Sequence, residues 1–392
     1  MLTAMILLTL GQPAISSSAE LAAQVDPKRI RASIEHLAAF NTRNTNTPEL
    51  FQAAGWIAAQ YSAIPGMKVE LMKYEIEPSR RVPAKKEVVQ VVATLPGADD
   101  RRIIMGGHFD SINMTEDADV FKSPAPGAND DLSGAMATLE VARVLAQAKW
   151  KHTLVFVAFS GEEQGLLGSR ALAKRATDEL WKIDAVLSND MIGNSSNNAG
   201  QRDSKQVRVF SEDRDPNSEH PHNSRELARF IQWTTQQHLK NFGVKLVFRK
   251  DRFGRGGDHS PFNEQGFNAV RLTEVFEEYT RQHTPADLPK DIDFAYLANG
   301  ARVNLIAIAA LANAAEPPGN VRVKMDQSHD TTLTWSGSAG TPYVVYWRNT
   351  TSPIWEEFKV VGQVDTALVQ KVNKDDHIFA VGAEGGIPVV AR

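Results

Sequence analysis

Six side chains able to work together on a polarised bond are scattered along the sequence, each inside a short motif. In Gly106-Gly107-His108-Phe109-Asp110-Ser111, an imidazole and a carboxylate stand two apart, so on extended chain they point to one side. One could bind a metal while the other fixes its tautomer, although the same pair also suits a loop salt bridge. Gly127-Ala128-Asn129-Asp130-Asp131-Leu132-Ser133-Gly134 puts consecutive acids ahead of a helical stretch. Capping of that helix explains Asp131 and leaves Asp130 free to bridge two ions. Ser160-Gly161-Glu162-Glu163-Gln164-Gly165 follows the most apolar strand in the chain, and adjacent acids there repel unless cations neutralise them. On extended chain neighbouring side chains face opposite ways, which suits one Glu to bind metal and the other to move a proton. Asn189-Asp190-Met191 and His283-Thr284-Pro285 complete the set, though a turn-forming Asp and a surface imidazole would look the same singly.

Jointly, His108, Asp130, Glu163, Asp190 and His283, with Glu162 left over, suit a pair of Zn²⁺ ions. Each ion would take one imidazole and one terminal carboxylate, the Asp and a water would be shared, and the free Glu would be the base. With Cys 0, thiolate sites, disulfides and a cysteine nucleophile are excluded. Two imidazoles tilt the choice from Mg²⁺ toward zinc, with Co²⁺ or Mn²⁺ as substitutes.

Such residues need strand ends to gather them. Apolar runs at 88–95, 102–107, 153–159 and 185–189 read as strands, with further ones at 207–210, 245–248 and 269–272. Helical periodicity falls at 30–38, 50–58, 132–148, 166–176, 227–239 and 294–315. The alternation predicts an α/β fold: a mixed, mainly parallel twisted sheet with helices on both faces, binding ligands at the carboxyl ends of its strands. Pro317-Pro318-Gly319 stops the last helix, and short alternating runs beyond it predict a small all-β sandwich at the C-terminus. The expected domains are a signal-like segment at 1–24, a catalytic unit at 25–316 and the sandwich at 319–392. The apolar run 2–10 is too short to span a bilayer, and with the small residues after it resembles a secretory leader without the usual basic start, so a secreted or periplasmic protein with no membrane span is expected.

The 392 residues, 42% hydrophobic and 23% charged, allow a large core. Lys+Arg 43 against Asp+Glu 47 leaves a net charge of -4, with no basic surplus for nucleic acid.

At the five motifs the chain resembles the co-catalytic zinc exopeptidases typified by bacterial leucyl aminopeptidase, in the family's order and over about 88–315. The resemblance implies His108 and Asp190 on one zinc, Glu163 and His283 on the other, Asp130 bridging, Glu162 as general base and Asp110 orienting His108. Gly257-Asp258-His259-Ser260-Pro261-Phe262 is similar to a family motif that lines the pocket, making Asp258 and His259 substrate-binding candidates. Asn129 replaces an acid common in relatives, and a cysteine pair found near the pocket of some is absent. The implied reaction is hydrolysis of N-terminal peptide bonds by a metal-bridged hydroxide, in a monomer acting on peptides. Alternatives within the fold are a carboxypeptidase, with Arg252 and Arg255 holding a substrate carboxylate, and a glutaminyl cyclase with one zinc. The sandwich resembles a fibronectin type III module on Trp335, the Tyr346 strand and Ala380-Val381-Gly382, and a polysaccharide or protein ligand is considered for it. An inert binding module is the non-enzymatic alternative.

Overall fold

The computed structural model describes residues 18–119, 121–213, 222–251, 256–326 and 328–392. The apolar run at 2–10 lies outside them, as do Arg252 and Arg255. The chain opens with helices α1 (Ser18–Ala23), α2 (Pro27–Ala38) and α3 (Pro48–Ser62). Asp26 caps α2 by accepting the Lys28 N–H at 2.8 Å, and Pro27 fits the first turn because it has no N–H to satisfy. α1 falls inside the stretch expected to be signal-like, and its Leu21 and Ala22 pack into the core.

The main sheet is built from β1 (Lys68–Ile76), β2 (Lys86–Leu95), β3 (Arg101–His108), β4 (Thr153–Phe159), β5 (Lys182–Asn189), β6 (Gln206–Phe210), β7 (Gly243–Val247) and β8 (Ala269–Glu274). Its spatial order is β1-β2-β4-β3-β5-β8-β6-β7. The central run β4-β3-β5-β8 is parallel, β6 pairs parallel with β7, and the three remaining pairings are antiparallel. Burial on both faces is what makes the central strands read as continuous apolar runs. Ile103 and Met105 of β3 pack on one side with α4 (Leu132–Leu145), α6 (Ser224–His238) and α8 (Phe294–Leu311), along with the N-terminal helices. Ile104 points the other way, with Phe159, Leu172 of α5 (Leu167–Asp178) and Phe262 of α7 (Ser260–Glu264).

α8 is apolar and long enough to cross a membrane by composition, but 78% of it is buried inside the protein, as befits a core helix. It ends at Leu311, earlier than the periodicity predicts, and the carbonyls that follow, at Ala312 and Ala314, accept from the His152 N–H and Nε2, each at 2.9 Å. Beyond it, β9 (Gly319–Val323), β10 (Thr331–Ser336), β11 (Tyr343–Asn349), β12 (Glu357–Gly362), β13 (Thr366–Val369), β14 (His377–Ala383) and β15 (Val389–Val390) form two antiparallel sheets, β13-β10-β9 and β12-β11-β14-β15. The final strand is present but two residues long. Trp335 and Trp355 are buried and Trp347 is partly buried, so all three indoles serve the interior of the sandwich. Trp233 of α6 packs its ring against Tyr346 and Phe358, and Arg229 donates to the Pro353 carbonyl at 2.8 Å, seating the sandwich on the larger unit.

Candidate metal centre

Parallel strands place their carboxyl ends side by side, and here the ends of β3, β4 and β5 carry His108, the Glu162-Glu163 turn and Asp190. Asp130 arrives from the loop leading into α4, through a cis Asp130–Asp131 peptide, and His283 from the loop after β8. β3 and α4 approach too closely for side chains: a Cβ at Gly107 would lie 2.6 Å from the Ala135 nitrogen and 2.8 Å from Asp131 Oδ2. Glycine at 107 is therefore what permits the close approach.

Asp130 reaches both imidazoles. Its Oδ1 lies 3.1 Å from His108 Nε2 and its Oδ2 lies 3.1 Å from His283 Nε2. Glu163 Oε1 stands 3.2 Å from His283 Nε2, and Asp190 Oδ1 3.9 Å from His108 Nε2. Glu162 Oε2 sits 4.0 Å from the same His108 nitrogen, on a more exposed side chain. The five expected ligands and the expected base are thus gathered into one cluster. His108 Nε2 and Glu163 Oε1 are buried without a hydrogen-bond partner, although buried polar atoms ordinarily have one. That pairing of unsatisfied nitrogen and oxygen donors around one space fits divalent cations.

Electrostatics agree. Burial, with Asp190, Glu163 and Asp258 adding repulsion, pushes the Glu162 carboxyl well above its usual range, and burial likewise raises Glu163. Burial works against charge on the imidazoles, yet the carboxylates around them win: His108 stands well above its ordinary value, and His283 is pushed up to about 11. Crowded acids that retain protons in this way are what a bound cation relieves.

Asp110 does more than orient His108. Its backbone carbonyl, 3.1 Å from His108 Nδ1, is the nearer acceptor, while its carboxylate lies 3.6 Å from that nitrogen. The same carboxylate accepts the Glu162 and Glu163 backbone N–H groups, each at 3.3 Å, tying the two motifs together. Asp131 lies close enough to His108 and Asp190 to count as a third donor there, but its oxygens are engaged. Oδ1 accepts from the Gly134 and Met191 N–H groups at 2.9 and 3.0 Å, and Oδ2 from the His108 N–H at 3.1 Å. It is the cap expected from the sequence and a strut between three motifs. Met191 and His283 both have φ of 56, a left-handed backbone that side chains tolerate only where neighbours fix it.

Asp258 is buried, with its carboxyl pushed up to about 7 chiefly by burial. His259 is fully buried beside it, and its Nε2 donates to the Lys250 carbonyl at 3.0 Å. Burial and the Arg271 charge pull that imidazole down to about 4, so it is neutral and serves to hold the 250 segment.

Sequence reasoning missed several supports. Asp287 accepts the Asn129 and Asp130 backbone N–H groups, each at 2.9 Å at the nearer oxygen, and Gln282 Nε2 donates to Asp130 Oδ2 at 2.7 Å. Glu274 accepts from the Asn194 N–H at 2.7 Å and from the Asn129 side chain at 3.2 Å. Arg271, 1% exposed, ion-pairs with Asp190 at 3.0 Å and with Asp251. A lone Arg inside the apolar stretch Ala269–Leu272 was the available signal.

The profile of peptidase family M28 matches residues 90–308. A probable zinc metalloprotease of Pyricularia oryzae is 35% identical, covering 92% of this chain and 80% of its own length. Among solved structures, an aminopeptidase from Aneurinibacillus sp. strain AM-1 superposes with a TM-score of 0.59 at 17% identity, over 76% of this chain and 97% of that one. The glutaminyl cyclase of Fimbriiglobus ruber gives 0.56 at 20% identity, over 72% and 94%.

Proposed function

The chain belongs to peptidase family M28, and on that footing we propose that it is a zinc-dependent aminopeptidase, releasing residues from the N-terminus of peptides. The observation that carries this reading is Asp130 standing 3.1 Å from each of two imidazoles, one per prospective ion. In this reading His108 and Asp190 would hold one Zn²⁺, His283 and Glu163 a second, and Asp130 would serve both. Bound zinc supplies a Lewis acid for the scissile carbonyl and makes a neighbouring water acidic enough to react near neutral pH.

The remaining work falls to the chain's own residues. Glu162 takes a proton from the attacking water at its Oε2 side and returns it to the departing amine, a task suited to a carboxyl whose proton affinity is already raised by burial. Asp110 holds the Glu162-Glu163 turn by two backbone hydrogen bonds, fixing where that proton is handled. Asp258, buried nearby and unpartnered at Oδ1, is suited to accept the substrate ammonium. A full two-ligand set for each ion, besides the shared Asp130, favours hydrolysis over single-zinc cyclisation. Hydrolysis of leucine p-nitroanilide, abolished by chelation and restored with two zinc per chain, tests the reading; a chelator-resistant activity or a single bound zinc would refute it.

The apolar run at 2–10 supports export from the cytoplasm, and the two-sheet module at 319–392 a fibronectin type III-like sandwich.

A further inference from the structure

A cavity of about 470 Å³ adjoins the candidate metal centre and takes no part in the chemistry described above. Two hydrogen bonds fix its position: Arg81 donates from Nη1 to the Glu163 carbonyl, and the Met114 N–H donates to the His283 carbonyl at 2.8 Å. It is therefore walled by the two chain segments that flank the Glu163 and His283 side of the cluster. The walls combine apolar residues, Pro83, Ile112, Met114 and Phe121, with two arginines, Arg80 and Arg81, and among the described residues no acid lines it. Met114 and Phe121 are 48% and 39% exposed and line the same recess, so together they offer an apolar wall open to solvent. Among the described residues Arg80 has no carboxylate partner, and Arg81 is partly exposed.

We propose that this cavity is the subsite for the residue following the scissile bond, and that it selects short peptides in which an apolar side chain is closely followed by a free C-terminal carboxylate. The inference rests on the aminopeptidase reading for its direction. A peptide's ammonium group is drawn to the acids Glu162, Asp190 and Asp258. The rest of the chain then leaves past His283, whose side chain at 21% exposed is the most open of the proposed ligands, and the recess on that side is the Met114 cavity. Apolar walls with a few convergent polar groups are the usual make-up of a specific site, and a carboxylate among guanidinium groups gains charge-assisted hydrogen bonds. The acidic centre and the basic cavity thus match the two ends of a short unblocked peptide.

The test compares Leu-Leu-Leu, its C-terminal amide and Leu-Gly-Gly. The zinc-loaded protein is expected to prefer the free acid to the amide by about fivefold in kcat/KM, the range of one partly exposed ion pair. Arg80→Gln should remove that preference, and Phe121→Ala should remove the preference for Leu-Leu-Leu over Leu-Gly-Gly. Equal rates on acid and amide, or preferences that survive both variants, would overturn the subsite. Calorimetric binding of the same peptides to zinc-loaded Glu162→Gln separates the two levels of the argument. Arg80-dependent tightening without nitroanilide hydrolysis in the parent protein would keep the subsite and sink the aminopeptidase reading; binding indifferent to Arg80 would sink the subsite.

Discussion

Arg271 lies 3.0 Å from Asp190 Oδ2, leaving Asp190 Oδ1 as the oxygen turned toward His108. The guanidinium is buried and shared with Asp251, so it stays charged and compensates two acids at once. Removing it strands both in a dry setting. Arg271→Met is expected to destabilise the fold by about 3–5 kcal/mol, measured by urea unfolding, and to weaken one of two zinc equivalents in elemental analysis. Arg271→Lys keeps the charge without the planar fork and should fall between.

Glu162→Gln is isosteric but cannot accept the proton. Turnover of leucine p-nitroanilide should fall by about 10²- to 10⁴-fold while two zinc ions stay bound and KM changes little. Near-normal turnover with full metal would remove Glu162 from the base role.

Asp131→Asn distinguishes a strut from a ligand. If Asp131 only accepts hydrogen bonds, from the His108, Gly134 and Met191 N–H groups and the Ser133 hydroxyl, the amide keeps one acceptor oxygen and loses the other. The variant should be less stable by about 1–3 kcal/mol in thermal unfolding and still bind two zinc ions. Loss of one ion would instead make Asp131 a metal ligand.

The gathered residues were readable because each sits in a local motif at a strand end, where the apolar run and the glycine turn are both visible in the sequence. Their supports were not. Asp287 holds the Asp130 N–H across 157 residues, a pairing no local pattern announces. β1 escaped for another reason: it is the sheet's edge, with only Met72 and Ile76 fully buried, and its Lys and Glu residues hide the strand signal. The sandwich strands β12 and β13 are largely exposed, β12 with no buried residue and β13 with Val369 alone, so no alternation marks them in the sequence. Trp233 shows the same limit on a helix. Its partners, Tyr346 and Phe358, lie in the sandwich, and helical periodicity says nothing of a face covered by a second unit.

Metal removal should make stability depend on pH in a stated direction. Burial raises Asp258 to about 7 and Glu274 to about 8 in the folded chain, against ordinary values of 3.8 and 4.5. A raised carboxyl means that the native state holds more protons than the unfolded one between the two values, so stability falls as pH rises through that window. Below about pH 4 the effect is fully favourable, and it is gone by about pH 8. Zinc in the adjoining cluster offsets the repulsion around Asp258 but reaches Glu274 less, since Glu274 is held by Asn129 and Asn194. The chelated protein is therefore expected to lose urea resistance steadily from pH 5 to pH 8, and the zinc-loaded protein to lose distinctly less. Parallel slopes for the two forms would show that the cluster does not carry the charge burden assigned to it.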